Sequence, residues 1–90
     1  MSIAVYFHPA SLSASRYDEA IKDLEAAGAG QPAGRLHHSC FGSDGNLMVF
    51  EVWESQQAFE DYGHVLMPIL GKAGIDAGAP DVMPVHNLVH

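Results

Sequence analysis

The sequence is poor in positive charge. Arg16, Lys22, Arg35 and Lys72 are its four Lys and Arg residues, against eleven Asp and Glu, for a formal net charge of −7. Such a chain cannot neutralise a run of phosphates, so nucleic acid is not an expected partner. An anionic membrane surface repels it for the same reason. Cysteine is nearly missing too. Cys40 stands alone, which excludes an internal disulfide framework. No apolar run is long enough to span a bilayer. The opening "MSIAVYFHPA" has no basic n-region, and its apolar stretch is too short for a signal-peptide core. These features together lead us to expect a cytoplasmic protein. There is no repeat, linker or low-complexity tract.

What is present is apolar. Of the 90 residues, 48% are hydrophobic, too many for a disordered chain. The length suits one domain, residues 1–90. A domain this small buries less of its surface than a large one and gains from a partner. Six histidines supply groups that can change charge below neutral pH.

The pattern of apolar residues predicts the elements. "SIAVYFH", rich in β-branched and aromatic side chains, reads as a strand that stops at Pro9. Ser11, Ser13 and Ser15 are candidate helix caps. Tyr17, Ala20, Ile21, Leu24 and Ala27 then recur at helical spacing, and Gly28 and Gly30 end that helix. "RLHHSCF" and "LMVFEVW" flank Asp44-Gly45, a strong hairpin signal whose type I′ turn would need positive φ at both central residues.

An even loop sets one register. Gly42 faces Leu47, Cys40 faces Val49, His38 faces Glu51 and Leu36 faces Trp53. These residues take one side of the sheet; His37, Ser39, Phe41, Met48, Phe50 and Val52 take the other. Both sides are apolar enough to require a cover. "ESQQAFEDYG" predicts a helix capped by Ser55 and interrupted at Gly63. A short further helix or turn would then have Pro68 in its first turn. "VMPVHNLVH" predicts the last strand, with Pro84 placing it at an edge or a bulge.

The order βαββαβ is that of ferredoxin-like α+β folds, with both helices on one face of a four-stranded antiparallel sheet. The other face is expected to be buried against a second copy, making a homodimer.

"FEVWESQQAFEDY", followed by "PIL" and the late "VHNLV", resembles the dimeric α+β-barrel superfamily. The similarity is to antibiotic-biosynthesis-monooxygenase-like domains and small stress-responsive barrel proteins. It rests on Trp53 ending a strand, then Glu54-Ser55, then Phe59 four residues after the Ser. It implies a homodimeric barrel with an apolar pocket between sheet and helices in each subunit. Members range from cofactor-free oxygenases through haem-degrading oxygenases, isomerases and cyclases to proteins without known activity, and fold does not choose among them.

Haem is disfavoured on the residues that the haem-degrading relatives use. Here the first strand ends in Phe7-His8 in place of Asn, and Tyr62 stands where a helix Trp would be. His64 comes too early for the haem-ligating His, and Lys72 falls nearer that position. The expected cofactor set is therefore none.

The candidate site residues fall into three groups. His38 and Glu51 meet across the hairpin and could act as a general acid/base pair, or simply satisfy each other inside a covered sheet. With Cys40 they could hold zinc or copper, but no tight ligand motif supports a metal, and none is expected. An apolar pocket would be walled by Tyr6, His8, Trp53, Phe59, Tyr62, His64, Leu66 and His86. Such walls suit a planar organic ligand. By the resemblance, His64 or His86 would be the base that deprotonates a phenolic substrate, and a Tyr or Trp, with Tyr62 a candidate, would hold the oxyanion. Their plainer roles are core for Trp53 and Phe59, a helix turn for His64 and an interface hydrogen bond for His86. Cys40 has no cationic neighbour other than His to make it reactive.

Two functions therefore stand side by side. One is a cofactor-free oxygenase or isomerase acting on an aromatic or hydrophobic metabolite. The other is a non-catalytic small-ligand-binding or stress-associated dimer. An enclosed cavity with His and Tyr pointing inward separates the first from the second.

Overall fold

The computed structural model describes residues 1–89. Strand β1 (Ile3–Phe7) leads to helix α1 (Ala14–Ala26), then strands β2 (Arg35–Ser43) and β3 (Asn46–Trp53), helix α2 (Gln56–Lys72) and strand β4 (Asp81–Pro84). The strands form one antiparallel sheet in the order β2-β3-β1-β4. Two of the predicted serine caps act as such. Ser13 Oγ accepts the Arg16 N–H at 3.2 Å and Ser55 Oγ accepts the Ala58 N–H at 3.1 Å, satisfying amides that the first helical turn leaves without a partner.

Period-two alternation sets the layers. Ile3, Val5 and Phe7 of β1 and Val49 and Trp53 of β3 point to one side, where Leu24 of α1 and Tyr62 of α2 close over them. Trp53 is fully buried at the centre, its ring 5.7 Å from Phe59 in an edge contact and 5.4 Å from Tyr62. The opposite side carries no helix. There Tyr6 O–H donates to Met48 Sδ, the His37 ring leans on Phe50 at 5.9 Å, and Phe41 and Met83 are exposed.

The hairpin has the predicted register from Gly42↔Leu47 through Cys40↔Val49 to His38↔Glu51. The turn itself differs from type I′: Gly45 has φ +86°, whereas Asp44 does not take positive φ. Asp44 is held otherwise, its carboxylate accepting the Ala14 N–H at 2.9 Å at the start of α1. The expected Leu36–Trp53 pair is replaced by a bulge. Arg35 faces Trp53, and Leu36 is squeezed out and 54% exposed. Gly34, just before the bulge, has φ +90°, and a Cβ there would meet the Ala58 Cβ at 2.9 Å, so the close approach to α2 requires glycine.

Two further expectations are corrected. The break at Gly63 does not occur, and α2 runs on through Pro68. Phe59, Tyr62, Leu66 and Ile69 keep one apolar stripe against the core over the whole helix. Pro68 sits on the exposed side, where water can serve the carbonyl that its missing N–H leaves free. The last strand is shorter than expected. It ends at Pro84, on the sheet edge where a residue without an N–H is tolerated. His86 follows it as exposed chain, and His90 of the expected strand lies outside the described residues. No described helix is long and apolar enough to cross a membrane.

Candidate functional site

Between the helices and the sheet lies a cavity of about 70 Å³. Tyr17, Ala20, Ile21 and Leu24 of α1 form one wall, and Tyr62, Leu66 and Leu70 of α2 form another. Phe7 and Val49 make its floor, beside His38, Glu51 and Arg35. The lining is almost all apolar, and its polar groups gather on the β2–β3 side.

Those polar groups form one chain. Glu51 is 3% exposed, a carboxylate inside the core. Its Oε1 accepts the Trp53 indole N–H at 2.9 Å, and its Oε2 lies 2.6 Å from His38 Nδ1. The Arg35 guanidinium stands 3.7 Å from the same oxygen, and its other arm donates to the Gly30 carbonyl at 2.9 Å. Opposite ring atom His38 Nε2, at 2.6 Å, is the Tyr17 hydroxyl. A carboxylate only accepts, so Nδ1 carries a proton toward Glu51, and a neutral imidazole then accepts the Tyr17 O–H at Nε2. The buried charge thus has a cation and two donors, the condition under which a carboxylate is tolerated in an apolar interior.

The hydroxyls differ in what they can do. Tyr62 O–H donates to the Ala29 carbonyl at 2.8 Å, latching α2 to the loop after α1, so its role here is structural. Burial raises its pKa, with Glu51 adding to the rise and Arg35 opposing it. Tyr17 is pushed up to about 12, first by burial and next by the charge Cys40 would carry; Glu51 and Asp18 add to this while Arg35 opposes it. It is a neutral donor at physiological pH. Burial also raises the Cys40 thiol, with Asp18 contributing, so its thiolate is disfavoured.

A stability prediction follows from Tyr17. Its pKa is about 12 in the folded chain against 10.0 for the free side chain, so unfolded molecules lose the proton first. Its contribution is full below about pH 10 and is lost as pH rises toward 12, on the order of 1–2 kcal/mol once partial exposure is allowed for. Tyr17→Phe should therefore show a shallower loss of stability across that alkaline window in urea titrations. Equal slopes for the two proteins would show that the hydroxyl is not held this way.

The other expected pocket residues lie elsewhere. Trp53 and Phe59 are core beside the cavity without lining it. Tyr6 points to the helix-free side of the sheet. His8 pairs with Asp81 at 3.2 Å in solvent, both side chains more than half exposed. His64 and His86 are exposed and line no wall of the cavity in this chain. Leu66 and Tyr62 do line it. Among the described residues no group of three or more His, Cys, Asp and Glu converges as a metal site; His38 and Glu51 turn their facing atoms on each other. Tyr17 and Arg35 are the functional candidates that sequence reading missed. Tyr17 is indistinguishable there from the apolar stripe of its helix, and only the bulge at Leu36 carries Arg35 to the cavity side.

The fold is ferredoxin-like α+β, a four-stranded antiparallel sheet with two helices. Similar solved structures include SnoaB, a cofactor-independent oxygenase from Streptomyces nogalater (TM-score 0.66, 15% identity, 98% of this chain and 95% of that one). A protein from Caulobacter crescentus provisionally named an antibiotic biosynthesis monooxygenase has TM-score 0.67 and 21% identity over 98% of this chain and 91% of its own. A protein of the same provisional name from Chloroflexus aurantiacus has TM-score 0.66 and 14% identity over 99% and 98%. No family model matches the chain, and no curated protein does.

Proposed function

We propose that the protein is a small enzyme of the cofactor-independent oxygenase or isomerase type, acting on an aromatic or hydrophobic compound. The observation that carries this reading is an apolar cavity whose polar side is a Tyr–His–Glu chain. In it the His38–Glu51 pair is the base: the imidazole takes a proton and the carboxylate steadies the imidazolium. For an oxygenase, the substrate anion then gives its electrons to dioxygen, so that a ring CH₂ and O₂ become C=O and H₂O. The likeness in fold to SnoaB, whose name describes a cofactor-independent oxygenase, supports that class.

At about 70 Å³ the cavity is far below the roughly 300–1,000 Å³ of drug-sized ligand sites. It is also smaller than the roughly 150 Å³ cavity that holds one benzene, so it suits the hydroxylated edge of a ring whose remainder lies outside it. Mass spectrometry of ligands retained by the native protein, then oxygen uptake on phenols of matching size, tests the reading. Phenol-dependent uptake without added metal or flavin is the expected result. A retained ligand with no turnover would instead favour the second reading, a non-catalytic ligand-binding protein, to which the small volume also points.

The working unit in this proposal is a homodimer. The helix-free face of the sheet presents Phe41, 43% exposed, and Met83, 55% exposed, around Tyr6, Met48 and Phe50. A second copy of that face is its proposed cover. Light scattering should give twice the chain mass, and Phe41→Asp should give a folded monomer with an unchanged circular dichroism spectrum. A wild-type monomer at micromolar concentration would end this part of the proposal.

A further inference from the structure

We propose that Tyr17, and not His38, is the group that meets the substrate, and that it relays the substrate's proton to His38. This deepens the reading above and rests on it. Both ring nitrogens of His38 already have partners. Nδ1 is committed to Glu51 at 2.6 Å and Nε2 to the Tyr17 hydroxyl at 2.6 Å. Neither ring nitrogen is free to take a proton from a ligand. Tyr17 lines the cavity, and its oxygen, while donating to His38, keeps a lone pair to accept with.

The transfer balances without any further reactant. The acidic O–H of the ligand gives its proton to Tyr17 Oη, while the proton already on Oη passes to His38 Nε2. The bonding pair of the ligand O–H stays on the ligand oxygen. His38 becomes an imidazolium whose Nδ1–H still faces Glu51. Tyr17 is again a neutral phenol and now donates to the ligand anion, so one hydroxyl both moves the proton and holds the charge that results. Both 2.6 Å hydrogen bonds survive: the one to Glu51 keeps its direction, and the one to Tyr17 reverses, neutral His38 accepting from Tyr17 and the imidazolium donating to it. Trp53 N–H and the Arg35 guanidinium keep Glu51 in place as the counter-charge. The high pKa of Tyr17 fits this role, since it never has to persist as a phenolate. The ligand class that follows is an uncharged ring bearing one acidic hydroxyl.

The test uses 4-nitrophenol, a single ring whose phenolate is coloured. Bound to the wild-type protein it should ionise at least about tenfold more readily than in water. Tyr17→Phe keeps the ring and removes only the hydroxyl. It should bind the probe within about threefold of wild type yet lose the gain in ionisation, as should His38→Gln, and the double variant should lose no more than either. In the wild-type complex, ¹⁵N spectra of His38 should show both ring nitrogens protonated when the probe is ionised, a reading that does not depend on any variant folding. Full ionisation in Tyr17→Phe, or an unprotonated Nε2 beside an ionised probe, overturns the relay and leaves His38 as a direct base. Binding without ionisation in wild type also overturns it while leaving the ligand pocket intact. No binding of the probe removes both the relay and the proposed function.

Discussion

Glu51→Ala should lower stability by ~3–5 kcal/mol, the usual cost of removing one partner from a buried ion pair. Two donors lose their acceptor at once, the Trp53 indole N–H and the His38 Nδ1–H, and the Arg35 guanidinium loses the counter-charge 3.7 Å away. Trp53 is fully buried, so its N–H has no water to turn to. Glu51→Gln should cost less, because the amide oxygen can still accept one of these bonds, although its NH₂ then faces another donor. Urea denaturation of the three proteins decides the matter. A loss below about 1 kcal/mol for the alanine variant would mean that the two donors and the guanidinium find other partners.

His38→Ala should act on the opposite quantity. The side chain is 20% exposed, and its removal leaves Glu51 one donor short, so the loss of stability should be ~1–3 kcal/mol. Turnover on any substrate found by oxygen uptake should fall by about 10²–10⁴-fold, the usual contribution of general acid–base catalysis. Steady-state kcat/KM, measured beside the melting temperature, separates the two effects. Turnover within about twofold of wild type would remove His38 from the chemistry and leave its bond to Glu51 as a device for burying a carboxylate.

The hairpin was the most legible part of the chain, for a physical reason. A two-residue turn and a strict period of two leave little freedom, so His38↔Glu51 follows once Asp44-Gly45 is placed at the tip. The pairing of the central strands and the side covered by the helices follow from similar constraints. Features set by contacts between distant elements were not legible. Tyr17 reads as one more member of a helical stripe, and its polar tip finds His38 only after α1 docks on the sheet. Gly63 and Pro68 argue locally for a break, but continuous packing of Phe59, Tyr62, Leu66 and Ile69 outweighs them. His64 and His86 attracted attention as histidines, yet helix phase and the early end of β4 leave both in solvent.

The bulge at Leu36 has a consequence for comparing this chain with others. Counting by twos from His38 puts Arg35 on the helix-free side; the extra residue returns it to the cavity, opposite Trp53. A protein without that extra residue would need its arginine one place nearer the histidine to occupy the same point in space. An alignment that allows no gap there pairs Arg35 with a residue from the wrong side of the sheet. The counterpart of Arg35 is better identified by its partner on the neighbouring strand than by its distance along the chain.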